Sequence, residues 1–143
     1  MVGVDLGQRR IGVAVSDGSG ILASPWCTIE RSGDAEADRA ALAAVVEEVG
    51  ARRVVVGLPL SLDGRHGPAA RAAAAEVEAL DALLAPRGVE VEPFDERFTT
   101  VTAARSLEAA GHGGRRRRRT IDKAAAAVLL QAWLDGHRGR RDG

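Results

Sequence analysis

The sequence predicts a single α/β domain built on a mixed central sheet, and three observations carry that prediction. The segments MVGVDLG, RRIGVAVSD and GILASPWCTIE are rich in β-branched residues and are separated by glycine-containing turns, the pattern of short strands joined as a meander. From SGDAEADRAALAAVVEEVG onward, the apolar period changes from that of a strand to that of a helix. ARRVVVGLPL then supplies a short apolar run, as expected of a strand covered on both faces.

Taken in order, the first three strands are expected at roughly 2–6, 10–16 and 21–29. The first helix has Asp34 as its cap, a stripe of Leu42, Val45, Val46 and Val49, and Gly50 as its stop. The ARRVVVGLPL strand follows, then the loop GLPLSLDGRHG. PAARAAAAEVEALDALLAPRG is a second helix, with Pro68 at its start and Gly88 past its end. VEVEPF is a strand that runs into DERFTT, and TTVTAARSLEAAG is a third helix capped by Thr99 or Thr100. A basic loop over 111–119 then leads to a last helix, TIDKAAAAVLLQAWLDGH, capped by Thr120, and residues 137–143 form a frayed tail. The order βββαβαβαα implies helices on both faces of a mixed sheet, in one domain spanning residues 1–143 without internal repeats. In such sheets, chemistry gathers at the strand ends.

Bulk composition narrows the function. With 143 residues and 45% apolar content the chain can bury a core, and with only 3% aromatics that core must be Ala, Val and Leu. No apolar run approaches the ~18 residues of a membrane span, and the N-terminus lacks a basic region followed by an apolar stretch. The single cysteine, Cys27, allows neither an intramolecular disulfide nor a CxxC metal site, and reads as a small buried hydrophobe. A cytoplasmic protein is the expectation. Twenty basic residues balance 20 acidic ones, so binding to a polyanion has to come from clustering.

Such a cluster exists. Arg115, Arg116, Arg117, Arg118 and Arg119 stand together directly before Thr120, Ile121 and Asp122. A run of one sign is costly unless an anionic partner offsets its repulsion. Flanked by Gly111, Gly113 and Gly114, it suits the neutralisation of a phosphate backbone.

Three acidic positions could serve that partner. Asp5, in VGVDLG, points to the face of its strand opposite Val2 and Val4. Asp95 and Glu96, in PFDERFTT, face opposite ways on a strand, so only one of them need enter a site. Asp122 falls in the first turn of the last helix, where a carboxylate also suits the helix dipole. The expected fold brings these positions toward one sheet edge. Carboxylates held close become stable around a hard cation such as Mg²⁺ or Mn²⁺, and ions of this kind support hydrolysis of a phosphodiester. Four other features carry less. GLPLSLDGRHG, ahead of its helix, could receive an anion, but it lacks the GK[ST] of a P-loop. His66 reads as a surface histidine without a role, Trp133 as core, and Trp26, beside Pro25, as a packed side chain rather than a base-stacking one.

Four blocks, VDLGQRRIGVAVSD, VVGLPLSLDGRHGPAA, FDERFTT and RRRTIDKAAAAVLLQAWL, occur in this order over roughly residues 2–135. Together they resemble the YqgF family, also called RuvX, of pre-16S rRNA nucleases and Holliday junction resolvases. The resemblance implies an RNase H-like (RuvC-like) fold and a metal-dependent nuclease whose carboxylates match Asp5, Glu96 and Asp122, with Asp95 as a less certain neighbour. It implies that Arg97 and Thr99 contact the scissile phosphate or brace the site. Arg9, in the first block, joins the five-arginine run as a candidate substrate contact.

The leading expectation is an endonuclease using Mg²⁺ or Mn²⁺ in 5′-end maturation of pre-16S rRNA. A resolvase of branched DNA would keep the chemistry but need two sites, hence a dimer; the sequence shows no obvious dimer face, and a monomer or weak homodimer is expected. A non-catalytic RNA-binding assembly factor would need the arginines but not the acids. A kinase or ATPase sharing the VDLG turn would need a second lobe for which the chain is too short.

Overall fold

The computed structural model describes residues 1–7, 9–58, 67–95 and 115–137, the side chains of 115–123 excepted. The elements are β1 (Val2–Leu6), β2 (Arg10–Ser16), β3 (Ala23–Glu30), α1 (Ala35–Val49), β4 (Arg53–Leu58), α2 (Pro68–Leu84), a 3₁₀ turn (Ala85–Arg87), β5 (Glu90–Asp95) and α3 (Arg115–His137). The five strands form one mixed sheet in the order β3-β2-β1-β4-β5. β1 to β3 are an antiparallel meander, while β1, β4 and β5 run parallel. Their three carboxyl ends therefore share one edge of the sheet.

Alternation along the strands divides the core into two layers. Val2, Val4, Ile11, Val13, Val54 and Val56 pack with residues of α1 and α2. Ala14 and Val55 pack on the other face with Ala126, Leu130, Trp133 and Leu134 of α3. Val54, Val55 and Val56 are all fully buried, as a wholly apolar inner strand requires.

Local sequence explains the ends of α1. Asp34 accepts from the backbone N–H groups of Glu36 and Ala37, and Gly50 closes the helix at φ 68°. Asp38 is buried and accepts from both N–H and O–H of Ser32, which fixes the entry from β3 into α1.

Several elements depart from the sequence reading. β3 begins at Ala23 rather than near residue 21, because the Asp17 carboxylate takes the N–H groups of Ile21 and Leu22 into the β2–β3 turn. Trp26 does not pack: it is 46% exposed. The register passes from Val13 opposite Cys27 to Ala14 opposite Pro25, so Trp26 is the extra residue of a bulge on the edge strand. Cys27 is half-buried against the α1/α2 layer.

The largest departure is in α3. Arg115–Arg119 are helical, not a loop, because arginine is a good helix former and no Gly or Pro interrupts the run. Thr120 lies inside the helix and does not cap it, and Asp122 lies beyond the first turn, so the helix dipole does not account for it. At the other end, His137 is still helical. Its ring stacks on Trp133 with centroids 3.8 Å apart, and its Nδ1 lies 2.7 Å from the Trp133 carbonyl. The Arg53 guanidinium stands 5.3 Å from the same indole, so Trp133 is core as expected. The third helix expected after Thr99, the loop glycines 111, 113 and 114, and the tail beyond His137 lie outside the described residues.

Candidate active site at the carboxyl ends of the strands

The site is built on β1. Asp5 is 2% exposed and shares the α3-facing side of that strand with Gly3. Gly3 touches α3 directly: a Cβ placed on it would lie 2.7 Å from Leu130 Cβ and 3.1 Å from the Ala126 carbonyl oxygen. Arg53, at the start of β4, stands over Trp133, while Phe94, near the end of β5, packs on Ala125 and Leu129. The helix therefore runs antiparallel to β1, with its amino-terminal half toward Asp5. Leu130 and Ala126 are one helical turn apart, and position 122 is the next step in that series. The packing of one strand and one helix thus puts backbone position 122 toward the Asp5 end of β1.

The residues level with Asp5 on both neighbouring strands are glycines. Asp5 pairs with Gly12 on β2. On the other side Val4 pairs with Val56, which leaves Gly57 level with Asp5 and itself paired with Phe94 of β5. Neither neighbour of the carboxylate brings a Cβ to the sheet face.

The turn after β1 is held tightly. Gly7 donates its N–H to the Asp5 carbonyl at 3.1 Å, and a Cβ on Gly7 would fall 2.5 Å from the Arg10 carbonyl oxygen. Arg31, at the exit of β3, donates Nε–H to the Gly7 carbonyl at 2.7 Å and its N–H to the Arg9 carbonyl at 2.9 Å. Arg31 also helps Ser32 hold the Asp38 carboxyl below the usual range; the Ser32 hydroxyl is the larger cause. Arg9 itself is exposed on this turn, at the rim of the site edge.

β5 separates the adjacent acids. Phe94 packs on Ala125 and Leu129 of α3, whereas Asp95 pairs with Leu58, a residue of the opposite layer. Strand alternation thus puts Asp95 on the face away from Asp5. Glu96, Arg97 and Thr99 lie outside the described residues, as do the loop 59–66 and His66. Arg115–Arg119 occupy the amino-terminal start of α3, on the site side of the sheet. Among the described residues no group of three His, Cys, Asp or Glu side chains converges. The sequence reading passed over Arg10, a buried cation on the same face as Asp5; its signal was its alternation with Gly12 and Ala14.

Whether the chain suits a divalent cation turns on Asp5. Asp5 is a buried hard oxygen donor beside the glycines of the neighbouring strands, and a donor of this kind suits Mg²⁺ or Mn²⁺. No helix among the described residues is long and apolar enough to cross a membrane.

Comparison with known proteins agrees with this architecture. Two solved structures of Thermus thermophilus RuvC share the fold. One, in complex with a Holliday junction substrate, has a TM-score of 0.60 at 16% identity, covering 97% of this chain and 96% of that one. The other has a TM-score of 0.56 at 18% identity, covering 97% of each chain. This is the RNase H-like arrangement that the family resemblance implied, and it agrees with the order of elements. A protein of Myxococcus xanthus, named "Putative pre-16S rRNA nuclease", is 47% identical over 137 residues, covering 96% of this chain and 88% of its own. One of the same name from Anaeromyxobacter dehalogenans is 47% identical over 134 residues, covering 94% and 95%. The sequence pattern of the RuvX family, described as Holliday junction resolvase, matches residues 1–136. The chain belongs to the RuvX family.

Proposed function

We propose that this protein is a metal-dependent endonuclease that trims the 5′ end of pre-16S rRNA. The observation that carries the reading is the placement of Asp5: a buried carboxylate flanked by glycines on the neighbouring strands, on the face covered by α3, whose position 122 is one turn from Ala126. The chain's likeness to proteins named for this substrate extends over nearly its whole length.

Asp5, Glu96 and Asp122 are the proposed ligands of Mg²⁺ or Mn²⁺, and Asp95, on the opposite strand face, is an outer neighbour. When bound, the cation supplies charge at the leaving oxygen and makes water a better nucleophile. The protein's part is to hold those carboxylates in place and to hold the phosphodiester against them. Arg115–Arg119 draw the backbone in, Arg9 extends that charge along the rim, and Arg97 and Thr99 brace the phosphate. Contacts of this type position nucleic acid and carry little sequence information. The protein acts in the cytoplasm as a monomer or weak homodimer.

A second reading has specific support, since the family's own description is junction resolution. One assay separates the two. The purified chain is given a 16S precursor RNA and a synthetic four-way DNA junction, each with Mn²⁺ or Mg²⁺, with Asp122→Asn as control. Metal-dependent cutting of the RNA alone, lost in the variant, supports the proposal. Symmetric cutting of the junction alone replaces it with resolution by a dimer. Tight RNA binding with no cutting under either metal leaves a non-catalytic assembly factor.

A further inference from the structure

Arg10 is only 6% exposed, whereas its neighbour Arg9 is exposed. Alternation on β2 puts Arg10 on the face of Gly12 and Ala14, the side that carries Asp5 and meets α3. Because Asp5 is opposite Gly12, Arg10 is its diagonal neighbour across the strand pair. Such positions lie about 7–8 Å apart, within reach of a long side chain, and Gly12 puts no Cβ beside that path. Arg10 donates Nε–H to Glu30 at 3.2 Å, and the Glu30 side chain is 50% exposed.

A buried arginine is a costly way to stabilise a sheet. A buried cation repays its desolvation only with excellent geometry, and an apolar residue of similar volume often serves stability as well or better. The position makes more sense for chemistry. A phosphodiester moving toward carboxylates is repelled by them. A fixed cation in a poorly hydrated setting offsets that repulsion more strongly than arginines in solvent, whose fields are screened.

We infer that Arg10 is a substrate-binding residue: steadied by Glu30, it supplies positive charge to the phosphodiester from the sheet side, while the arginine run of α3 acts from the other. The inference rests on the reading that this site takes nucleic acid.

The test measures binding without divalent metal, so it does not depend on cleavage. Full-length protein is titrated into labelled 16S precursor RNA over a range of salt concentrations. The variants are Arg10→Gln, Arg10→Met, Arg10→Lys and, as control, Arg71→Gln on α2. Arg10→Met guards against loss of the fold, because a buried site tolerates an apolar side chain. Arg10→Gln and Arg10→Met should each weaken binding about tenfold and lower the salt slope by about one. Arg10→Lys should keep the slope near wild type, and Arg71→Gln should change nothing. If folded Arg10→Gln or Arg10→Met binds with wild-type affinity and slope, Arg10 serves the fold and not the substrate, and the inference is overturned alone. If the wild-type protein binds neither this RNA nor a four-way DNA junction, the reading of the site falls, and the inference with it.

Discussion

Gly3 of β1 lies directly beneath Leu130 of α3, so close that a Cβ on the glycine would stand 2.7 Å from the leucine Cβ. The second near atom, the Ala126 carbonyl oxygen at 3.1 Å, is backbone and cannot rotate away. The helix therefore rides on bare strand, and this contact sets how deeply its amino-terminal half approaches the sheet face that carries Asp5. Gly3→Ala should lift α3. Overpacking of this kind costs about 1–3 kcal/mol, and each kcal/mol lowers Tm by about 2–4 °C in a chain of this size. Misplacing a reacting group by about 1 Å can cost up to about a hundredfold in rate, so cleavage should fall further than stability at a temperature where the variant is folded. A Gly3→Ala protein that melts and cuts like wild type would show that α3 does not rest on this contact.

Two carboxylates make stability depend on acid. Asp38 is held below the usual carboxyl range by the Ser32 hydroxyl and then by the Ser32 N–H. Asp17 is held low by the Ser19 hydroxyl and then by the Ile21 N–H. A carboxyl depressed in the folded state contributes stability above its unfolded pKa, near about 3.9. That contribution is lost as pH falls through the lower folded value. Asp38→Asn should therefore be less stable than wild type at neutral pH, and its Tm should fall less on acidification from about pH 5 to pH 2. Thermal melts across that range provide the check; parallel curves for the two proteins would remove Asp38 from the account.

Much of this fold is legible in the sequence, because its signals are local. Asp34 and Gly50 mark the ends of α1 by their own chemistry, and Val54, Val55 and Val56 announce an inner strand by having no polar partner. Asp5 could be assigned a face because Val2 and Val4 claim the other. The failures arise where a non-local or competing term decides. Trp26 is turned outward by a bulge whose cause is the register between β2 and β3, which no window of sequence contains. The arginine run reads as a loop because Gly111, Gly113 and Gly114 precede it, yet arginine's own helix propensity carries α3 back to Arg115. Arg10 was passed over because its importance depends on Gly12 lying opposite Asp5, a pairing visible only once the strands are in register.

The helical arginine run has a measurable consequence. Cations at a helix amino terminus oppose the dipole by about 0.3–1 kcal/mol each. Like charges one turn apart, as at Arg116 and Arg119, cost a further ~0.2–0.5 kcal/mol. Replacing Arg116 and Arg117 together by Gln should leave the protein as stable or slightly more so, by thermal melt. The same change should weaken RNA binding and reduce the dependence of log affinity on log salt by up to about two. Unchanged salt dependence would place the nucleic acid elsewhere on the surface.

Gly12 separates the needs of the fold from those of the site. It is an extended residue inside β2, outside the positive-φ glycines of the chain, so strand geometry alone does not demand a glycine there. Glycine within a strand costs roughly 0.5–1 kcal/mol relative to alanine, and a β-branched residue is better still. Opposite Asp5, however, a Cβ would stand on the face from which, on the proposed function, cation and phosphodiester reach the carboxylate. Gly12→Ala should therefore melt within a few degrees of wild type, while cleavage falls by about tenfold or more, the scale of losing a well-placed contact in the transition state. Gly12→Val should lose nearly all activity. Circular dichroism melts run beside cleavage assays give both quantities. If Gly12→Val remains folded and fully active, the face beside Asp5 is not the route of the reaction.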